Sequence, residues 1–206
     1  MNKILAISAH SDDLIIGLGG TISKLSNLGK EVYALSVCSD RIEGFDKAIN
    51  SLGANPLTLN YSYSMVEEFS LEKKLEDLFM KIKPDFIFTH WTNEILYDHL
   101  VVSKVSIKLA RKFESNIFLY EIPASSVNFD FNVAIDIGEN YFKKIEAILM
   151  MKEAFSNEVF KKEIYPSVIY TSPFRGIQVG VQFAEVFKNL GSRKPLSPYH
   201  CMLSDF

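Results

Sequence analysis

The 206-residue sequence has little of several features that mark whole classes of protein. Its only two cysteines, Cys38 and Cys201, argue against a disulfide framework and favour a reducing, cytoplasmic location. No apolar run approaches the ~20 residues of a membrane-spanning helix, and the N-terminal apolar stretch is too short for a signal peptide. The chain has 22 lysines and arginines and 25 aspartates and glutamates, which gives a net charge of −3. It therefore lacks the excess of basic residues that is typical of nucleic-acid-binding proteins. We therefore expect neither a membrane span nor a nucleic-acid partner.

Short apolar runs alternate with helical patterns along most of the chain. Strands are predicted at 3–8, 31–37, 56–59, 86–89 and 117–121, with helices between them at 12–28, 43–52, 70–82 and 98–113. Such alternation predicts a single α/β domain, residues 1–206, built on a doubly wound, mainly parallel sheet with helices on both faces. Beyond Pro123 the pattern loosens into a further strand within 129–136 and a helix at 139–155. We expect the C-terminal third to wrap the sheet and to form part of a substrate rim.

A polar cluster follows the first predicted strand. His10, Asp12 and Asp13 stand where that strand gives way to a helix. Ligands in open α/β sheets bind outside the carboxyl ends of the strands, so this position favours function. Helix capping by Asp12 or Asp13 is the alternative, because aspartate is common at helix N-termini for that reason alone.

Glycines at 17, 19 and 20 suggest two interpretations. Glycines after a first strand let a backbone approach pyrophosphate, but the spacing here is not G-x-G-x-x-G, and they fall inside the predicted helix. Close packing of that helix on its neighbours is the simpler interpretation.

A second polar cluster, from His90 to His99, follows the fourth predicted strand. Strands one and four should be near neighbours across the switch point of such a sheet, which brings His99 toward His10 and Asp13. Two imidazoles and one carboxylate form the ligand set of catalytic zinc sites, and the same set suits non-haem iron. A solvated or capping His99 is the alternative, but two matched clusters at two strand ends favour a metal site.

The two clusters resemble the motifs of the LmbE/PIG-L superfamily of zinc-dependent N-acetylglucosaminyl de-N-acetylases. Ala9 to Leu14 resembles A-H-P-D-D-E, with Ser11 for proline and Leu14 for glutamate, and Leu96 to His99 occupies the place of H-P-D-H. Further likenesses are G-x-G-G-T at 17–21, R-x-E at 41–43 and, near the end, R-G-x-x-x-G-x-x-x-A-E at 175–185. The resemblance spans most of the chain in the expected order.

The resemblance implies a Rossmann-like fold and a role for each matched residue. His10, Asp13 and His99 would bind Zn²⁺, with Fe²⁺ as an alternative, and Asp12 would be the general base. Arg41 would face a small amino-sugar substrate, where its planar fork suits hydroxyl or phosphate oxygens; a solvated residue at a helix start is the alternative. Asp98 resembles the aspartate that holds the catalytic histidine in the family, with capping of the following helix as the alternative.

Leu96 departs from the second motif, whose first histidine stabilises the oxyanion or protonates the leaving amine. Leucine does neither, and loss of one oxyanion donor costs on the order of 10²–10³ in rate elsewhere. His90, closing the fourth strand, and Tyr97, beside the vacant position, are the candidate substitutes. Packing at the strand end is the alternative for His90, and an aromatic wall is the alternative for Tyr97. We expect Tyr97 and Asp98, together with Arg41, to contact the substrate. His200 in the tail is a further candidate rim residue.

Three functions remain open from the sequence. The first is a zinc-dependent hydrolase that removes acetyl from an N-acetylated amino sugar, sugar nucleotide or glycoconjugate. A second keeps the metal but takes a different acyl substrate, because Leu96 makes the pocket more apolar. The third is a weakly active sugar-binding relative. The 16 phenylalanines and 9 tyrosines suit either a large core or the interface of a homo-oligomer.

Overall fold

A seven-stranded sheet runs through the centre of the protein. The computed structural model describes residues 2–191, and His200 and Cys201 lie outside them. The strands are β1 Lys3–Ser8, β2 Glu31–Cys38, β3 Asn55–Tyr61, β4 Phe86–His90, β5 Asn116–Tyr120, β6 Val133–Asp136 and β7 Ala184–Gly191. Their order is β3-β2-β1-β4-β5-β7-β6, with the first five parallel and β7 antiparallel to both of its neighbours.

Helices cover both faces of this sheet. They are α1 Asp13–Asn27, α2 Phe45–Ser51, α3 Glu68–Ile82, α4 Tyr97–Lys112, α5 Tyr141–Met150, α6 Asn157–Val159 and α7 Tyr165–Val179. A π-helical turn, Phe160–Ile164, joins the last two, and single 3₁₀ turns occupy Gly138–Asn140 and Lys152–Ala154.

Side chains of β1 point alternately to the two faces of the sheet and pack into two separate cores. Ile4 and Ala6 point into a core shared with α1, α2 and α5, whereas Leu5 and Ile7 point into a core shared with α3 and α4. A strand buried on both faces needs apolar residues at every position, which explains the unbroken apolar run. The predicted α/β class and doubly wound sheet are confirmed.

The switch point of the sheet places two loops side by side. β1 pairs in parallel with β2 on one side and with β4 on the other. The carboxyl ends of β1 and β4 are therefore adjacent, as the sequence predicts, and the segments that follow them meet above the sheet.

The C-terminal part differs most from the prediction. β7 was not anticipated, and the strand expected within 129–136 covers only Val133–Asp136. In β7 the first four residues are all buried and the last four are partly or fully exposed, so the strand lacks the period-2 alternation that marks a half-buried strand. The helix expected at 139–155 is α5 flanked by two 3₁₀ turns.

The glycines of α1 serve close packing. A Cβ on Gly17 would lie 2.4 Å from the Tyr120 ring, and a Cβ on Gly20 would lie 2.6 Å from Ile137 Cδ1. The packing interpretation is therefore confirmed. Among the described residues, no helix combines the length and apolar character that crossing a bilayer requires.

Candidate metal and catalytic site

Two strand ends deliver the polar clusters to one place. β1 ends at Ser8, and the turn that follows carries His10 before α1 begins at Asp13. β4 ends at His90, and α4 begins at Tyr97, so that His99 lies in its first turn. Both clusters thus stand at the carboxyl ends of adjacent parallel strands.

His10, Asp13 and His99 bring three ligand atoms together. His10 Nδ1 lies 3.1 Å from His99 Nε2, and Asp13 Oδ2 lies 3.5 Å from the former and 3.4 Å from the latter. All three side chains are buried. Two imidazole nitrogens and one carboxylate oxygen match the three-ligand set of catalytic zinc sites.

Each imidazole is also held from behind by a carboxylate. Asp98 Oδ2 lies 3.2 Å from His10 Nε2, and Glu94 Oε2 lies 3.0 Å from His99 Nδ1. Ligand histidines in metalloproteins characteristically place their second nitrogen against such a carboxylate, which fixes the ring and its tautomer. The donor set therefore fits a divalent metal ion.

The electrostatics of the cluster favour a cation at this point. Burial would lower the pKa of His99, but the Asp13 and Glu94 carboxylates outweigh burial and raise that pKa to about 10. An environment that holds a proton so strongly also favours a metal cation bound between the same groups.

Asp12 stands beside the ligands but makes no capping contact. It occupies the N-cap position of α1, yet its side chain accepts no cap hydrogen bond. Burial, followed by the charge of Asp13, raises the pKa of Asp12 to about 6. A carboxylate with this pKa beside a ligand set is suited to accept and return a proton near neutral pH.

Arg41 lies at the edge of the same site. Its backbone is in the left-handed region at φ 60°, and its carbonyl oxygen accepts a hydrogen bond from Ser11 Oγ at 2.7 Å. The guanidinium carbon lies 6.0 Å from the ring centroid of Tyr63 and 5.7 Å from that of Phe155. Because α2 begins only at Phe45, Arg41 precedes that helix and belongs to the loop above the sheet.

A cavity of about 250 Å³ opens over the cluster. Its polar lining is His10, Asp12, Asp13, Asp40, Arg41, Tyr63, His99, Ser125, Glu163 and Ser167, and its apolar lining is Ile16, Ile95, Leu96, Ile122, Ala124 and Ile164. The last part of this lining comes from the helical segment after α5, which supports the expected C-terminal rim. Two larger depressions, at the opposite end of the sheet and along α4, contain none of the clustered histidines.

His90 is behind the ligand set and not on the cavity wall. It is fully buried, its ring stacks on that of His99 at 3.9 Å, and its Nε2 accepts a hydrogen bond from the Ala9 backbone N–H at 2.8 Å. Burial, followed by the charge of His99, lowers the pKa of His90 to about 4, which leaves the imidazole neutral. This placement does not favour the predicted catalytic role, because His90 has no path to a molecule in the cavity.

Tyr97 and Asp98 were predicted to contact substrate, and neither lines the cavity. Tyr97 is 58% exposed at the start of α4, whereas Asp98 is buried behind His10 and accepts the Ser64 backbone N–H at 2.7 Å. Leu96, by contrast, is part of the cavity wall. The side-chain donor that the motif would place here is thus replaced by an apolar surface.

Two residues of the site were not singled out from the sequence. Glu94 stands five residues before His99, and its acidic character within a polar loop was an available signal. Tyr63 stacks on His10 with centroids 4.6 Å apart and an interplanar angle of 19°. It follows a strand of ordinary composition, and nothing in the local pattern pointed to it.

Solved structures share this fold over nearly the whole chain. The N,N'-diacetylchitobiose deacetylase of Pyrococcus horikoshii, solved with an inhibitor, is 22% identical with a TM-score of 0.80, covering 98% of this chain and 88% of that one. GalB of Pseudomonas putida, a 4-carboxy-2-hydroxymuconate hydratase, is 17% identical with a TM-score of 0.80, covering 96% and 99%. A deacetylase of teicoplanin biosynthesis is 10% identical with a TM-score of 0.76, covering 94% and 100%. At such identities the likeness establishes the fold, which serves more than one reaction.

The family is established by a separate comparison. The family model described as PIG-L, GlcNAc-PI de-N-acetylase, matches residues 5–110. The matched region begins in β1 and ends in α4, so it contains both polar clusters and all three candidate metal ligands. Because the match covers just over half of the 206 residues, the chain belongs to the PIG-L family.

Proposed function

We propose that this protein is a metal-dependent amide hydrolase that removes the acetyl group from an N-acetylated amino sugar, sugar nucleotide or glycoconjugate. The observation that carries the proposal is the convergence of His10, Asp13 and His99, with Asp12 beside them, in one cavity of a PIG-L family chain. The deacetylases among the solved relatives support the same class of substrate.

His10, Asp13 and His99 would hold the metal, and zinc suits this donor set. Bound there, the ion would supply Lewis acidity toward the amide carbonyl and would make water a better nucleophile. The protein's part is to keep the three ligand atoms within a few ångströms of one another, to bury them, and to fix both imidazole rings through Asp98 and Glu94.

Asp12 carries the proton in this proposal. It takes a proton from water as the oxygen attacks the carbonyl carbon, and the C–N bond then breaks to give acetate and a free amine. The leaving nitrogen needs a proton, and Leu96, His90 and Tyr97 do not supply it, since the first is apolar and the others are off the cavity wall. We assign that second transfer to Asp12 as well, which returns the carboxylate to its starting state.

The same cavity supports a second candidate, hydrolysis of a different acyl group. Ile95, Leu96, Ile122 and Ala124 form an apolar surface beside the ligand set. An acyl chain longer than acetyl would gain about 0.8 kcal/mol of binding free energy for each added CH₂ that it buries against such a surface. A rate that rises with acyl length would select this candidate over acetyl removal.

The test combines metal analysis with an assay of amine release. The wild-type protein, Asp12→Asn and a control, Asp46→Asn on the exposed side of α2, are loaded with zinc and given a panel of N-acetylated sugars and their longer-chain analogues. We expect one zinc per chain in all three and a ~10²–10⁴-fold lower kcat in Asp12→Asn alone. Stoichiometric zinc with no amine released from any substrate would refute the hydrolase assignment. The remaining interpretation would be a sugar-binding relative without this activity.

A further inference from the structure

Glu94 is a buried carboxylate that the proposed chemistry does not use directly. It is 6% exposed and stands in the loop between β4 and α4. Its Oε2 accepts from His99 Nδ1 at 3.0 Å and from Ser125 Oγ at 2.6 Å, and its Oε1 accepts from the Ser126 hydroxyl. A carboxylate buried with three donors is held in one position and carries its charge at low cost.

The position of the Glu94 carboxylate determines which ring nitrogen of His99 faces the metal site. With Nδ1–H donated to Glu94, Nε2 is the nitrogen that faces His10 Nδ1 and Asp13 Oδ2, the other two candidate ligand atoms. Neutral imidazole has two tautomers, and the carboxylate selects the one that leaves Nε2 free as a ligand.

The two serines belong to a segment that also forms the cavity wall. The loop around Glu94 is joined to it by two backbone hydrogen bonds, from Ile95 N–H to the Ser125 carbonyl at 3.0 Å and from Val127 N–H to the Asn93 carbonyl at 2.8 Å. A β-bridge pairs Glu94 with Ser126. Within this segment Ile122, Ala124 and Ser125 line the cavity.

We propose that Glu94 is a positioning residue, which orients His99 for the metal and mechanically couples that ligand to the wall segment 122–126. The inference rests on the metal binding in the proposed function. It goes beyond it because it connects the carboxylate that fixes His99 to a segment that forms part of the cavity wall. Asp98 plays the corresponding part for His10, but its further partner is Ser64 in the loop after β3, away from this wall.

The test measures metal affinity directly. Zn²⁺ affinity by chelator competition and the visible absorption spectrum of the Co²⁺-substituted protein are recorded for wild type, Glu94→Ala and Glu94→Gln. We expect Glu94→Ala to bind Zn²⁺ ~10–100-fold more weakly and to shift the Co²⁺ bands, as for loss of other carboxylates behind ligand histidines. Glu94→Gln keeps an acceptor for His99 Nδ1–H without the charge, so its loss should be smaller.

Glu121→Gln is the matched control, since this carboxylate is also buried and pairs with Arg175 at 2.5 Å without touching the ligand histidines. Its Zn²⁺ affinity should equal that of wild type. A Zn²⁺ affinity and Co²⁺ spectrum equal to wild type in both Glu94 variants would overturn the inference. If Glu94→Ala fails to fold, the same result for Glu94→Gln alone would overturn it. Failure of wild type itself to bind Zn²⁺ or Co²⁺ would instead refute the proposed function.

Ser126→Ala tests the coupling to the wall segment. This change removes one donor to Glu94 and also frees the Ile122 backbone N–H, which donates to Ser126 Oγ at 2.8 Å. We expect a several-fold loss of Zn²⁺ affinity in the wild-type background and a smaller loss in Glu94→Ala. An equal loss in both backgrounds would show that Ser126 does not act through Glu94, and would overturn the coupling.

Discussion

Asp12 and Asp13 are neighbours in sequence, yet their surroundings drive their pKa values in opposite directions. Both are buried, which by itself raises a carboxyl pKa. For Asp13 the charge of His99 and the hydrogen bond from its ring overcome burial, and the pKa falls well below its usual range. For Asp12, burial and the charge of Asp13 outweigh the opposing charges of His10 and Arg41, and its pKa rises to about 6. One turn thereby holds a permanent anion suited to a metal and a carboxylate suited to proton transfer.

Arg41→Gln tests whether the guanidinium binds substrate without taking part in the chemical step. Hydrogen bonds to charged groups contribute ~1.5–3 kcal/mol, which corresponds to roughly 10–150-fold in affinity. For a phosphorylated substrate we expect KM to rise by about that factor while kcat stays within ~3-fold, because the contact is the same in ground and transition states.

Steady-state kinetics on a phosphorylated amino sugar and its neutral counterpart separate the two effects. The neutral substrate provides the control, since its KM should change far less. A fall in kcat with constant KM would contradict the binding role and place Arg41 in the chemical step.

At the scale of elements, α1 contains a break whose backbone groups bond to side chains of β7 and α5. At Leu18 the backbone leaves helical geometry, with φ −150° and ψ 22°. The N–H groups of Gly20 and Thr21 donate instead to the carboxylate of Glu185 on β7, at 2.9 and 2.7 Å. Lys144 on α5 then donates to Glu185 at 2.7 Å and to the Ile16 carbonyl at 2.8 Å. The break in α1 is thus satisfied by a buried ion pair.

Glu185→Gln should therefore destabilise the fold strongly. Lys144 would keep a buried charge without its partner, and breaking a buried pair in this way costs ~3–5 kcal/mol. Equilibrium urea unfolding measures this loss. The double variant Glu185→Gln with Lys144→Met should recover part of it, because the unpaired charge is gone. A single variant within ~1 kcal/mol of wild type would show that the pair does not hold α1.

At the scale of the molecule, the fold was predictable where local pattern and topology agree. The runs 3–8 and 86–89 are short, apolar and followed by polar clusters, so both strands and the meeting of their loops followed from the sequence. β7 did not, because a strand paired antiparallel to β5 and β6 depends on partners 48 to 74 residues away. The convergence of His10, Asp13 and His99 followed from the switch point, whereas the burial of His90 depends on side-chain packing that spacing does not encode.

Metal binding should stabilise the entire domain. The ligands follow two different strands, so they converge only in the folded chain, and an ion bound there favours the folded state by mass action. At a free Zn²⁺ concentration 100 times Kd the gain is ~2.7 kcal/mol, which for a chain of this size raises Tm by roughly 5–11 °C. Differential scanning calorimetry with and without chelator measures the shift. Arg41→Gln should retain it and His99→Ala should lose it, whereas an equal shift in His99→Ala would mean that zinc binds at another place on the fold.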